Sequence, residues 1–149
     1  MSGIVTAVEA HAIAETLKKL HGQFNWTKRD NHVGHLVASA RVEDADGAIL
    51  PSLIVEVEIK AAISFDRCLF LFTLFIQKHG AKLRAYQVEI APQNKHTHIE
   101  TGNIIRGAHE HWGDKVIALI GFGCDDYSRG FAHFCQQINL TAIQLELPS

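Results

Sequence analysis

Residues 67–77 read Arg67-Cys68-Leu69-Phe70-Leu71-Phe72-Thr73-Leu74-Phe75-Ile76-Gln77, and this stretch decides the fold. From Leu69 to Phe75 every position but Thr73 is apolar, so neither a period of two nor a period of 3.6 sorts a wet face from a dry one. A strand covered on both faces accepts that pattern. The segment Cys68 to Ile76 is therefore expected to be the central strand of a sheet. Lys78-His79-Gly80-Ala81 turns the chain, and Lys82 to Ile90 returns beside it as the next strand.

Working outward toward the N-terminus, Leu53, Val55, Val57 and Ile59 alternate with Glu56, Glu58 and Lys60, as a strand with one wet face should. Asp44-Ala45-Asp46-Gly47 is a turn signal that joins it to Leu36, Ala38, Ala40 and Val42, which alternate in the same way. Pro51 falls early, where a strand start or an edge tolerates it. Asn31, His32, Gly34 and His35 read as loop. The chain opens with a helix: Thr6 and Glu9 form a capping box, Val5 can staple behind it, Ile13, Leu17 and Leu20 share a face, Lys18 and Lys19 suit the last turn and Gly22 stops it.

Toward the C-terminus the period changes again. Tyr127, Phe131, Phe134, Cys135 and Ile138 form one helical face, with Asp125 or Asp126 as the cap, His133 at the boundary and Asn139 as the end. Thr141 to Leu147 alternates and predicts a short closing strand. The expected architecture is a single α+β domain over 1–149, with a mostly antiparallel sheet, an N-terminal helix, and a C-terminal helix followed by that strand.

The bulk numbers narrow the function classes. The 149 residues carry 14 basic and 16 acidic side chains, a formal charge of −2, so no polyelectrolyte surface for phosphate backbones is indicated. Hydrophobic residues make up 47% and charged residues 20%, a globular profile. Met1 to Gly22 lacks a signal-peptide pattern and Cys68 to Ile76 is too short for a membrane helix, so a cytoplasmic chain with no membrane partner is expected. Cys68, Cys124 and Cys135 are odd in number and have no C-x-x-C spacing, which reads as reduced thiols, with Cys135 as inert core. No G-x-x-x-x-G-K-[ST], G-x-G-x-x-G or G-x-S-x-G motif is present.

Chemistry concentrates in the histidines, ten in all, four of them in His96-Thr97-His98 and His109-Glu110-His111. Imidazole acts as acid, base or metal ligand near neutral pH. Residues two apart on a strand share a face, so two such pairs on neighbouring strands would gather four imidazoles. Three uses stay open. Zinc could be held by His96, His98, His109 and His111, with Asp114 or Glu110 completing the set, although the spacing matches no standard zinc motif. Alternatively, His109 and His111 could be the acid and base of metal-free phosphodiester cleavage, with Arg106 and Lys115 on the phosphate and Tyr86 and Trp112 as stacking surfaces for a base. The third use is structural, as hydrogen-bonded supports. A metal-free site without cofactor is the expectation carried forward, with catalytic residues His109, His111, Arg106 and Lys115 and binding residues His96, His98, Trp112, Asp114 and Tyr86.

The stretch from His96-Thr97-His98 through Gly102-Asn103-Ile104-Ile105-Arg106-Gly107-Ala108-His109-Glu110-His111-Trp112-Gly113-Asp114-Lys115 resembles a family of small bacterial and prophage proteins of unknown function, with Ala108 where that pattern has Thr and His98 where it has Asn. The His-x-His followed by Gly-Asp is also similar to the G-x-H-x-H segment of TumE-type toxins, matched here by His109, His111, Gly113 and Asp114. The resemblance implies a mobile-element or prophage-borne protein, toxin-like and RNA-cleaving, with an antitoxin as partner. The alternative is a non-enzymatic inhibitor, an anti-CRISPR or other anti-defence protein that binds a host defence complex. Glu43, Asp44, Asp46, Glu56 and Glu58 around the first hairpin would be its docking face.

Overall fold

The computed structural model describes residues 5–28, 35–60, 68–92, 96–100 and 103–141. In chain order the elements are α1 (Ala7–Glu15), β1 (Lys19–Lys28), β2 (His35–Glu43), β3 (Ile49–Lys60), β4 (Phe70–Lys78), β5 (Ala81–Ile90), β6 (His96–Glu100), β7 (Asn103–Arg106), β8 (His109–Trp112), β9 (Lys115–Ala118) and α2 (Tyr127–Gln137). Seven strands form one antiparallel sheet in the order β1-β2-β3-β4-β5-β8-β9, and β6 pairs with β7 in a separate two-stranded ladder. The α+β class and the two helices agree with the sequence. The expected strand Thr141 to Leu147 lies almost wholly outside the described residues.

The expected central strand is the middle strand of seven, β4, and begins at Phe70. Phe70, Phe72 and Leu74 are fully buried on the face that carries both helices, where Phe72 meets the rings of Tyr127, Phe131 and Phe134. Leu71 and Phe75 point the other way and are half-buried. The two faces of β4 are thus covered unequally, the helices accounting for only one. The turn into β5 places His79 at φ 52° and Gly80 at φ 78°, the left-handed pair that a two-residue hairpin requires.

The N-terminal helix departs from expectation. Its capping box is present, with Glu9 N–H donating to Thr6 Oγ1 at 3.2 Å. The helix then ends at Glu15, and Lys19 to Lys28 is a strand. Gly22, expected as a helix stop, instead sits at φ 80° where the β1–β2 register shifts between His21 and Asn25. Lys18 does not reach solvent from a last turn. Its ammonium is buried and donates to the carbonyls of Ala14 (3.3 Å), Thr16 (2.6 Å) and Ile138 (2.7 Å), tying the ends of α1 and α2 together. Burial lowers its pKa to about 8.

Three smaller expectations need correction. His35 is not loop but the first residue of β2, opposite Lys60. Asp126 stands at the N-cap of α2, but its carboxylate accepts from Gly123 N–H at 2.7 Å and Arg129 Nε at 3.1 Å instead of capping the helix. Asn139 does end α2, at φ 53°. The thiols are not all reduced: Cys68 and Cys124 form a disulfide with Cα atoms 5.5 Å apart, leaving Cys135 as a buried thiol whose pKa burial raises to about 12. The odd count hid the bond, because one bridge among three cysteines has no spacing signature.

Candidate functional site

Strand β8 is buried on both sides, at all four of its residues. Alternation sends Glu110 and Trp112 to the helix-bearing face, and His109 and His111 to the opposite one. Cross-strand register then fixes their neighbours: Glu89 of β5 stands opposite His109, and Gln87 stands opposite His111. On the far side of β8, Ala118 and Val116 of β9 face the same two histidines.

On that face the two histidines are buried between half-buried and exposed neighbours. His109 is 1% and His111 4% exposed, and their rings meet edge to face with centroids 4.8 Å apart. One ligand atom each from Glu89, His109 and His111 lies within 4.8 Å of the others. His109 Nε2 is 3.6 Å from Glu89 Oε1, while its Nδ1 is 3.3 Å from the Gly107 carbonyl. With the Nδ1–H donating to that carbonyl, Nε2 turns its lone pair toward Glu89, the orientation a metal-binding imidazole takes. Donors around a tetrahedral zinc at about 2.1 Å stand roughly 3.4 Å apart, so the cluster closes on an ion by rotamer adjustments of about 1 Å. Around it, Gln87 Nε2 donates to Thr73 Oγ1 at 2.8 Å, and Arg84 lies near enough to Glu89 to feel its charge.

The opposite side of β8 holds a second polar group inside the core. Glu110 Oε2 accepts from the Tyr86 hydroxyl at 2.5 Å and is 3.2 Å from His133 Nε2. Burial pushes the Glu110 pKa up, but hydrogen bonds from His133, Tyr86 and Trp112 prevail and hold it below the ordinary value. Burial, with Glu110 beside it, pushes the Tyr86 hydroxyl far above its ordinary range. Glu110 is thus a satisfied support, facing away from the histidine pair.

The expected site residues separate accordingly. His109 and His111 come together. His96 and His98 belong to the β6–β7 ladder, which among the described residues is a sheet separate from that of β8. Asp114 accepts the Ala7 N–H at 2.9 Å and anchors the start of α1. Lys115 stands opposite Trp112, on the register row that faces the helices. Tyr86 is fully buried, and Trp112 is 6% exposed with its ring stacked on His11 at 4.0 Å, so neither offers a surface to an incoming base. Arg106 is exposed at the end of β7. The sequence reading missed Glu89. Its signal was available only through the pairing of β5 with β8, which a strand's own alternation does not reveal.

The acidic hairpin offers little free charge. Glu43 pairs with Lys19 and His21, Glu56 with Lys82 and Glu58 with His35, and Asp44 accepts the N–H groups of Asp46 and Ala48. No helix among the described residues is long and apolar enough to cross a membrane. Comparison of the chain with family models, curated proteins and solved structures finds no match in any of the three.

Proposed function

We propose that this domain binds one divalent transition-metal ion through Glu89, His109 and His111 and works as a metal-dependent enzyme. The observation that carries the reading is the convergence of two imidazoles and one carboxylate, within 4.8 Å, on a buried patch of a rigid sheet. Two histidines and a carboxylate leave coordination positions for water and substrate, unlike the four-ligand sets of structural zinc. The same set suits zinc and ferrous iron, and such an ion polarises a bound oxygen or lowers the pKa of bound water.

A second reading, in which His109 and His111 cleave RNA without metal, rests on the 4.8 Å approach of their rings and on the toxin resemblance. It has less behind it. Lys115, the cation assigned to the phosphate, stands on the opposite register row, and Tyr86 and Trp112, the surfaces assigned to the base, are buried.

The test uses untagged, EDTA-dialysed protein titrated with Zn²⁺, Mn²⁺ and Co²⁺ under calorimetry, with elemental analysis of protein as purified. One equivalent of a transition metal is expected. Glu89→Gln and His109→Ala should each weaken binding by more than the roughly 10–100-fold that loss of a group merely orienting a ligand costs. Uptake well below one equivalent, or affinities unchanged in both variants, rejects the metal centre. RNA cleavage that survives EDTA would favour the second reading.

A further inference from the structure

A cleft of about 410 Å³ lies at the start of β8, walled by residues 106–108 on one side and 118–122 on the other. Two neighbours of His109 line it, although its ring does not. Gly107, whose carbonyl is 3.3 Å from His109 Nδ1, and Ala118, which stands opposite His109 in the β8–β9 ladder, both line it.

We propose that this cleft binds a small organic anion with an apolar tail. The charge at its mouth is Arg106. Among the described residues the side chains of Arg41, Arg84 and Arg129 each donate to a partner, whereas the exposed guanidinium of Arg106 makes no ion pair or hydrogen bond. A guanidinium presents a planar fork that matches a carboxylate or phosphate. The facing wall is apolar: Ile120 is 93% exposed, the most exposed large hydrophobic side chain described, and it stands between Leu119 and Phe122 at the lining. A large apolar side chain left in water beside a cation that has no partner among the described residues suits a ligand that is anionic at one end and apolar at the other.

The wall is also fixed in place. Leu119 N–H donates to the Ala108 carbonyl at 2.9 Å, across the cleft's own floor. Arg129 donates to the Gly121 carbonyl and lies 4.2 Å over the Phe122 ring. Cys124, two residues beyond Phe122, is bonded to Cys68 just before β4. A wall held at three points has little freedom left to lose on binding, which favours a preformed small-molecule site.

The cleft and its charge do not rest on the metal reading. The experiment therefore begins with metal-free full-length protein. Octanoate, octyl phosphate and octanol are titrated while the amides of Gly107 and Gly121 are followed by NMR. At least one of the two anions is expected to bind saturably, about tenfold or more tightly than octanol, as a charge-assisted contact requires. Their ranking separates a carboxylate ligand from a phosphate. Arg106→Gln should reduce the anion's affinity to that of octanol, and Ile120→Asp should weaken all three probes. Octanol binding as tightly as both anions, or no saturable shift with any probe, overturns the cleft. Octanoate binding without Co²⁺ uptake rejects the metal centre and leaves the cleft; Co²⁺ uptake without binding of either anion does the reverse.

Discussion

Breaking the Cys68–Cys124 bond should cost the domain a large share of its stability. The bond joins residues 56 apart in sequence. In the chain-entropy account a cross-link removes about 2.1 + 1.5R ln n cal/mol/K from the unfolded ensemble. With n near 56 that is about 14 cal/mol/K, or about 4 kcal/mol at 25 °C. For a chain of this size, 4 kcal/mol corresponds to roughly 10 °C in melting temperature. The assay is urea unfolding at neutral pH with and without a phosphine reductant, repeated on a Cys68→Ser, Cys124→Ser double variant that reductant should leave unchanged. Thiol titration of the unreduced protein in denaturant should find one thiol, that of Cys135. Three thiols, or a wild-type midpoint that reductant does not move, would refute the assignment and restore the reduced state expected from the odd cysteine count.

Three further outcomes follow from packing and charge. Phe72→Ala empties a fully buried position among three aromatic rings and should cost about 3–5 kcal/mol in the same unfolding assay. Gly113→Ala should cost more than about 2 kcal/mol, since φ is +57° and an added Cβ would lie 2.4 Å from the Thr6 carbonyl oxygen; Gly47→Ala, at φ +87° but with open space around it, should cost only about 1 kcal/mol. Lys18 is a base whose folded pKa, about 8, lies below its ordinary 10.5, so between those values the unfolded chain holds more protons and stability should rise with pH, by up to about 3 kcal/mol. Lys18→Met should lack that rise when the two proteins are unfolded in parallel from pH 7.5 to 10.5, and an equal slope in both would reject the buried ammonium.

What was legible in the sequence is what short-range periodicity encodes. β3, β4, β5 and α2 announce themselves by alternation, by an unbroken apolar run or by a 3.6-residue face, and the His79-Gly80 hairpin by its turn residues. β1 was hidden because Leu17 and Leu20 continue the spacing of Ile13, whereas the chain leaves the helix at Thr16 and Gly22 serves a register shift. Leu17 ends 62% exposed, so the apparent face was coincidence. The candidate site divides in the same way. The His109 and His111 pairing is a property of one strand and could be seen. Glu89 arrives from another strand, and the disulfide from a residue 56 positions away, so both depend on tertiary register. His96 and His98 looked equivalent to the second pair because sequence distance does not say which sheet a strand joins.

The seat of the first helix is built from residues made long after it, and this bears on the order of assembly during synthesis. The Ala7 amide is met by Asp114, Thr6 abuts Gly113, and the far end of α1 is closed by Asn139, whose side-chain amide donates to the Glu15 carbonyl at 3.0 Å. At about 5–20 residues per second, the 107 positions between Ala7 and Asp114 correspond to roughly 5–20 s in which the helix has been made and its dock has not. A nine-residue helix is marginal in water by itself, so its turns are expected to persist only once β8 and β9 are in place. Until then Ala10 and Ala14, buried in the folded structure, have no complete dock and stay open to chaperones or to a neighbouring ribosome's product.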